Sequence, residues 1–362
     1  MIDIVSLHHI ELYVANARHT AYYYCKALGF DLIAYGDNTT GLKDRVSFIL
    51  KQGHAHVILT STVNNSDFIQ KHVINHGDGV RDICFFVNEI EKTYSNLVNK
   101  NVKMVNPLSS FTNEDGVEIS KFTVSTFNDT VHTFVSYNNF NPNNFPLLLH
   151  YKTSNNKHQN KDYISSIDHI ALCGAHGFIN ECIGFYCNIL DFSITRTEDI
   201  GSEQSGMRTI VLESLSSVIK LPVVEPLTLS EKSALDEFIY FYNGSGIHHV
   251  AFYSKNIINT VNNTRCNGVQ YMDNTTKLYY DNLKKRVNTI VKENLEELEK
   301  NHILLDLEED GYLLQIFSKP LQPKPTFFIE IIQRENIDGF GSGNIKALYD
   351  SIAVEKSKHI IK

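Results

Sequence analysis

One carboxylate, Glu330, lies inside an apolar stretch of the sequence, residues 326–333. Its nearest neighbours are Phe and Ile residues, which are typical of a buried β-strand. Burial of an ionised carboxylate is strongly unfavourable unless a positive charge compensates it. Because no basic residue occurs in this stretch before Arg334, a bound metal ion is the natural partner for Glu330.

Two histidines upstream occur in the same kind of segment. His169 lies in the alternating segment 166–172 and His249 lies in the similar segment 246–252, so the three residues are about 80 positions apart. Two imidazoles and one carboxylate from separate strands form a facial triad, which binds iron(II) and leaves positions free for a substrate and dioxygen. The alternative is that each histidine is an ordinary core residue, the commoner situation for one buried histidine taken alone. The matched spacing of all three favours the metal.

The elements that must position these residues recur four times along the chain. Each repeat begins with an alternating strand, continues with an amphipathic helix and ends with further strands, which makes a βαβββ unit. The predicted first strand and helix of the four repeats are 7–14 and 17–29, 79–87 and 90–100, 166–172 and 179–190, and 246–252 and 257–267. We therefore predict an α+β protein of four modules, which form two open β-barrel-like halves with the helices outside.

The two halves are predicted to differ in chemistry. We place the first half at residues 1–150 and the second at 163–362, joined by a linker rich in Asn, Pro and Lys. The first half offers His9 and Asp82 at positions similar to the ligands, but the position of the acid is taken by Val135 or a neighbour. We therefore expect one metal ion, in the second half, and a structural role for His9 and the histidine before it.

Composition argues against several classes of function. Of the 362 residues, 42% are hydrophobic and 20% are charged, which is enough for a full globular core. A net charge of -8 without a dense Lys/Arg block argues against nucleic-acid binding. The six cysteines form no CxxC pair, so we expect reduced thiols and neither disulfides nor a zinc site. The sequence shows neither a signal-peptide pattern nor a membrane-spanning run, so we expect a cytoplasmic protein.

Three stretches of the second half carry a more specific pattern. They are GYLLQIF (311–317), PTFFIEIIQR (325–334) and GFGSGNIKALY (339–349). With these motifs the chain resembles, over nearly its whole length, the 4-hydroxyphenylpyruvate dioxygenase and hydroxymandelate synthase family, which has the vicinal oxygen chelate fold. The resemblance implies iron(II) on His169, His249 and Glu330. It also implies oxidative decarboxylation of 4-hydroxyphenylpyruvate, or of a close 2-oxo acid, coupled to hydroxylation with O2.

The resemblance further implies which residues line the substrate pocket. They are Gln315, Phe317, Phe328, Phe340 and Asn344. Phenyl rings combined with an amide suit a flat aromatic substrate with a polar end. Without the family, Phe317 and Phe328 are equally consistent with plain core packing. The segment after Gly343 is predicted as a helix, either a lid over the iron or an ordinary helix that packs permanently.

Five positions depart from the pattern of the homogentisate-forming members. Val224 and Ala234 stand where those enzymes carry other side chains, mainly amides, and Ile345 stands where they carry Phe. Thr209 replaces a common Ser, and His248 replaces a Gln. A lost amide removes a hydrogen bond worth about 1–3 kcal/mol. We therefore expect benzylic hydroxylation to 4-hydroxymandelate. Ring hydroxylation to homogentisate, a step of tyrosine metabolism, is the alternative, and an altered 2-oxo acid substrate is also open.

Other classes of function use the same fold. A metal-free small-molecule binding module would have broken ligand positions in both halves, whereas the second half is intact. An isomerase or a zinc hydratase would need a glutamate base on a further strand and no aryl pocket. We therefore expect a 2-oxo acid and O2 as partners, without nucleic acid or membrane. Self-association through the metal-free half is left open.

Overall fold

The computed structural model of the chain contains two large β-sheets connected by α-helices. It describes residues 2–64, 68–141, 145–146, 148, 150–154, 163–201, 205–227, 232–273, 275, 277–287, 290–308 and 311–346. None of the helices within these ranges has the length and the apolar character that are needed to cross a bilayer. All six cysteines are free thiols.

The first sheet has nine strands and the second has eight. The strands of the first sheet are β1 (Ile4–Tyr13), β2 (Asp31–Gly36), β3 (Arg45–Gln52), β4 (Ala55–Thr62), β5 (Gly79–Val87), β6 (Met104–Thr112), β7 (Glu118–Ser125), β8 (Val131–Tyr137) and β9 (Lys152–Thr153). Those of the second are β10 (Ser166–Cys173), β11 (Ser193–Gly201), β12 (Gly206–Glu213), β13 (Lys220–Pro226), β14 (Gly246–Tyr253), β15 (Leu304–Leu307), β16 (Tyr312–Phe317) and β17 (Phe328–Glu335).

The helices occur between the strands, and two of them continue into a π-helical turn. They are α1 (Ala17–Tyr23), α2 (Phe68–His76), α3 (Ile90–Asn99), α4 (Phe178–Cys182), α5 (Ala234–Tyr242), α6 (Ile257–Cys266), α7 (Lys277–Arg286) and α8 (Leu295–Lys300). A π-helical turn, Tyr24–Leu28, continues α1, and a second one, Ile183–Cys187, continues α4. Gly29 ends the first turn in the left-handed region, with φ 84°, a conformation that favours glycine.

Strand order confirms the predicted four-module architecture. The first sheet runs β6-β7-β8-β5-β1-β4-β3-β2-β9 and the second runs β11-β12-β13-β10-β14-β17-β16-β15. In each sheet two βαβββ modules meet through antiparallel first strands, β1 with β5 and β10 with β14. The first sheet and the second also share one hydrophobic core, in which the rings of Phe30 and Phe252 lie 5.7 Å apart. The fold is therefore of the α+β vicinal oxygen chelate type.

The segment predicted as a linker contributes to the first sheet where the structure describes it. β9 pairs with β2, with Thr153 opposite Ala34. Phe145, Leu148 and Tyr151 pack against the small apolar cluster of this sheet. The Asn-rich composition predicted a linker. It gave no sign of these three partly buried contacts, because the three residues are spaced without a strand or helix period.

The central strand pair of each sheet is irregular. The register between β10 and β14 skips Asp168 and His248, and the register between β1 and β5 skips Val5, His8 and Arg81. Except for Val5, each skipped residue directly precedes a residue that the sequence analysis considered as a ligand or its counterpart. A bulge turns the neighbouring side chain relative to the regular pleat, which is how a strand directs a residue into a site.

The strand register also identifies the first-half counterparts of the predicted metal ligands. His9 lies opposite Cys84, which lies opposite Thr133, just as His169 lies opposite Ala251, which lies opposite Glu330. The counterpart of Glu330 is therefore Thr133, two residues before the predicted Val135. The backbone N–H of Thr133 donates to Asp82 (2.8 Å), and its hydroxyl donates to the same carboxylate. This carboxylate is thus engaged within the protein.

The buried Asp82 should make stability depend on pH. Burial raises the pKa of Asp82 from 3.8 to about 7, so the folded chain holds a proton that the unfolded chain releases. This group's contribution to stability is full below about pH 4 and is lost as the pH rises through 7. In Asp82→Asn, whose amide keeps the contacts with Thr133, this loss should be absent. The free energy of unfolding of the variant should therefore rise relative to the wild type by on the order of 2–3 kcal/mol between pH 5 and pH 8.

Urea unfolding at both pH values measures this difference. Asp115→Asn, at an exposed position, is the control and should follow the wild-type pH dependence. Parallel curves for the wild type and Asp82→Asn would show that Asp82 is ionised in the folded chain throughout this range.

Candidate metal centre

Three strands of the second sheet bring His169, His249 and Glu330 together. Ala251 in β14 lies opposite both His169 in β10 and Glu330 in β17, and His249 is two residues from Ala251 on the same face of the strand. The Nε2 atoms of both histidines lie 3.3 Å from the same carboxylate oxygen, Oε2 of Glu330. Glu330 is only 2% exposed, so its charge is removed from water.

Hydrogen bonding shows that these three residues fit a metal ion. Nδ1 of His169 donates to Oδ1 of Asp168 (2.7 Å), and this leaves the Nε2 lone pair directed at Glu330. Two acceptors then face each other, and a cation between them satisfies both. Two ligands at right angles, each about 2.1 Å from an ion, are about 3 Å apart, which is close to the spacing here. Two nitrogens and one oxygen form a donor set that suits iron(II).

Burial and charge act in opposite directions on the three groups. Burial raises the pKa of Glu330, but the two histidines outweigh this effect and lower it below its usual value. Burial lowers the pKa of His249 by more than Glu330 raises it. For His169, burial also lowers the pKa, but Glu330 and Asp168 together raise it above its usual value. An ionised carboxylate beside a neutral His249 is the state that a metal ligand requires.

Asp168 holds His169 from behind and is itself held by Arg334. The guanidinium donates from Nε to Oδ2 and from Nη2 to Oδ1 of Asp168, both at 2.8 Å, and from Nη1 to the carbonyl of Gly339. Burial raises the pKa of Asp168, but Arg334 and His169 lower it well below its usual range. The bulge at Asp168 therefore places a permanent anion against the ring that faces Glu330.

Three phenyl rings surround the triad. Phe328 stacks on the ring of His249, with centroids 4.9 Å apart and an interplanar angle of 22°. Phe317 lies opposite Glu330 in the β16–β17 register, 6.0 Å from the ring of His249. Phe340 lies edge-on to His169 at 5.2 Å. The structure thus brings these three predicted pocket residues into contact with the predicted ligands.

The side-chain amides of Gln315 and Asn344, both predicted to line the pocket, lie next to each other. Asn344 donates from Nδ2 to Oε1 of Gln315 (3.4 Å) and accepts from the hydroxyl of Tyr279 (2.9 Å). Gly341, with φ 73°, turns the chain toward them, and a Cβ at this position would collide with the Gln315 amide. Residues 342–346 begin the predicted C-terminal helix, and its continuation from 347 lies outside the described residues.

Four of the five residues that depart from the homogentisate pattern form a neighbouring group. Thr209 lies opposite Val224 in the β12–β13 register. Val224 and Ile345 belong to one apolar cluster, to which Phe238 also contributes. His248 connects this group to the triad, because its ring lies 4.9 Å from Phe238 and 5.2 Å from His249. Ala234 has a different position, as the first residue of α5 after the capping Ser233.

The sequence analysis did not assign Asp168 or Arg334 to the site. The available signals were the position of Asp168 directly before His169 and the spacing of Arg334, four residues after Glu330 and therefore on the same face of β17.

A cavity of about 270 Å³ lies elsewhere, against the first sheet, where His8, His9, His56 and Phe145 contribute to its lining.

Comparison with known proteins places this geometry in a family. Residues 6–132 match the family model described as the Glyoxalase/Bleomycin resistance protein/Dioxygenase superfamily. The chain is 33% identical to a 4-hydroxyphenylpyruvate dioxygenase of Caenorhabditis elegans, with 98% of this chain and 92% of the relative covered. It is 34% identical to a 4-hydroxyphenylpyruvate dioxygenase of Dictyostelium discoideum, with 95% and 96% covered.

A solved structure supports the same conclusion. A mutant of 4-hydroxymandelate synthase from Streptomyces coelicolor superposes with a TM-score of 0.85 at 27% identity, covering 98% of this chain and all of the other. The fold, the strand order and the sequence identity over nearly the full length all indicate the same family. The chain belongs to the 4-hydroxyphenylpyruvate dioxygenase family and is a dioxygenase-type enzyme of the vicinal oxygen chelate fold.

Proposed function

We propose that this chain is an iron(II)-dependent enzyme that converts 4-hydroxyphenylpyruvate and O2 to homogentisate and CO2. The observation that carries the proposal is the buried carboxylate oxygen of Glu330 that two imidazole nitrogens approach at 3.3 Å. The product follows the activity of the sequence relatives, which are 4-hydroxyphenylpyruvate dioxygenases at 33–34% identity. This activity favours homogentisate over the 4-hydroxymandelate that the pocket residues suggested.

Iron(II) would be held by His169, His249 and Glu330, and when bound it would supply open positions for a 2-oxo acid and dioxygen and would transfer electrons from the substrate to O2. The chain itself contributes orientation. Asp168 keeps the proton of His169 on Nδ1, so the lone pair of Nε2 stays directed into the site. Arg334 prevents Asp168 from turning away. These contacts fix the ligand geometry before any substrate arrives.

The rings and amides determine where a substrate lies. Phe317, Phe328 and Phe340 form apolar walls around the triad, which exclude water and fit an aryl side chain. Gln315 and Asn344 offer polar atoms that suit the hydroxyl at the far end of the ring. The chain therefore acts by positioning and exclusion, and no side chain needs to transfer a proton to the substrate.

Ring and benzylic hydroxylation differ in the carbon that faces the oxidant. Val224 and Ile345 belong to the same apolar cluster, so we assign them to the wall that sets the tilt of the aryl ring. A wall of this kind discriminates between two transition states by about 1–3 kcal/mol. The benzylic product, 4-hydroxymandelate, is therefore the second candidate.

Product analysis tests the assignment. With 4-hydroxyphenylpyruvate, O2 and iron(II), we expect homogentisate as the main product and one CO2 per turnover. Homogentisate and 4-hydroxymandelate are isomers of the same mass, so they must be separated by chromatography against standards and identified by fragmentation. A reaction with 4-hydroxymandelate as main product would assign the second candidate. An untouched substrate under conditions in which iron is bound would exclude both.

A further inference from the structure

A second cluster of histidine and carboxylate side chains lies where the two halves meet. His72 and His76 are four residues apart on α2, so both project from one face of the helix. Asp129, in the turn between β7 and β8, reaches the same point, and one ligand atom from each of the three lies within 4.8 Å of the others. His72 is 1% exposed and His76 is 3% exposed, so both rings are removed from water.

The hydrogen bonds of His76 leave an electrostatic conflict. Its Nδ1 contacts the backbone carbonyl of Tyr242, which can only accept, so Nδ1 carries the proton. Its Nε2 lies 3.3 Å from Oδ2 of Asp129, which also can only accept. In a neutral ring two acceptors face each other. The same arrangement, at the same separation, occurs between His169 and Glu330.

Three further polar atoms around the cluster have no hydrogen-bond partner in the described part of the chain. They are Nε2 of His72, Oδ1 of Asp129 and the hydroxyl oxygen of Tyr242, all buried. Buried polar atoms without partners are uncommon in native proteins, and a bound ion with its water ligands is one arrangement that satisfies them. Nδ1 of His72 already lies 2.8 Å from Asp129. The cluster therefore presents more donor atoms than its own contacts use.

We propose that His72, His76 and Asp129 form a second metal site, specific for a divalent ion of the zinc type. Two imidazoles and a carboxylate are ligands that zinc accepts, and a fourth position is available to water or to the Tyr242 hydroxyl. The Asp129 side chain is 32% exposed, which gives an ion a path from solvent.

The position of this site gives the ion a structural role. The carbonyl that orients His76 belongs to the last residue of α5, an element of the second half, and the rings of His76 and Tyr242 stack at 4.4 Å. An ion bound by the first half thus fixes the ring that contacts the second half. Because metal binding to the folded chain alone adds to its stability, the ion should fasten the two halves together.

Zinc titration of variants tests the proposal separately from the catalytic centre. In the full-length double variant His169→Asn/His249→Asn, in which the proposed iron site is removed, we expect one equivalent of zinc to remain after dialysis. Zinc should also raise the unfolding temperature of this variant. Adding His72→Asn and His76→Asn should abolish both effects. His19→Asn, an exposed histidine on α1, is the matched control and should change neither.

X-ray absorption at the zinc edge supplies the second readout. Two imidazoles and a carboxylate oxygen among the neighbours support the site. Zinc retention by the double variant His169→Asn/His249→Asn decides whether the proposal stands. A folding defect caused by adding His72→Asn and His76→Asn therefore does not affect the conclusion. If the double variant is folded, as judged by circular dichroism, and retains no zinc, the proposal is overturned.

Discussion

Glu330→Gln should lose both iron binding and turnover. The neutral amide presents one weak acceptor in place of the carboxylate oxygen that lies 3.3 Å from both His169 and His249. Loss of a residue that merely orients a metal ligand costs about 10–100-fold in affinity or activity, so loss of a proposed ligand should cost more than about 100-fold. Iron analysis after anaerobic purification and O2 consumption with 4-hydroxyphenylpyruvate measure the two losses.

Glu335→Gln is the matched control for this variant. It makes the same substitution in the same strand, β17, at a residue that forms an ion pair with the exposed Lys292. Its iron content and activity should equal those of the wild type. A Glu330→Gln protein that retains stoichiometric iron and turnover would remove Glu330 from the ligand set and, with it, the basis of the proposed function.

Asp168→Asn should weaken iron binding and the fold together. The amide can present an NH2 group to His169, which allows the ring to carry its proton on the wrong nitrogen. We expect iron affinity to fall by about 10–100-fold. The same change leaves the guanidinium of Arg334, whose side chain is 11% exposed, without its anion. Breaking a buried pair in this way costs about 3–5 kcal/mol, which urea unfolding of the metal-free protein measures.

Asp199→Asn is the matched control, because it breaks an Asp–Arg pair of the same geometry that is not buried. Asp199 accepts two hydrogen bonds from Arg208, both at 2.8 Å, in the same two-pronged geometry. Both side chains are nearly half exposed, at 47% and 45%, and such pairs contribute at most about 1 kcal/mol. This variant should keep its iron affinity. Equal losses of stability in the two variants would mean that burial does not distinguish the two pairs.

The outline of the fold and the proximity of His169, His249 and Glu330 were predictable because both follow from periodicity. Alternating apolar residues around His169, His249 and Glu330 predicted strands, and their equal spacing predicted repeats. The bulges at Asp168 and His248 were not predictable. An extra residue in a strand changes the register by one position without a change in composition, so it leaves little trace in the pattern.

Interactions between distant segments account for the other differences. Arg334 was noted only as the first base after Glu330. Its guanidinium in fact donates a hydrogen bond to Asp168, which lies on another strand. The spacing of His72 and His76 was a usable signal, but only tertiary packing brings Asp129 to them. The choice of product is hard to predict for a related reason, because it depends on small displacements of the substrate that residue types such as Val224 and Ile345 do not specify.

The register of the central strand pairs also carries information about ancestry. Both halves contain a His-His dipeptide, 8–9 and 248–249, and a comparison by letters alone would align them. The register instead makes His9 the counterpart of His169, and Asp82 the counterpart of His249. If the halves arose by duplication of one gene segment, the two dipeptides descend from different strands of the ancestor, and their identity is a coincidence of substitution.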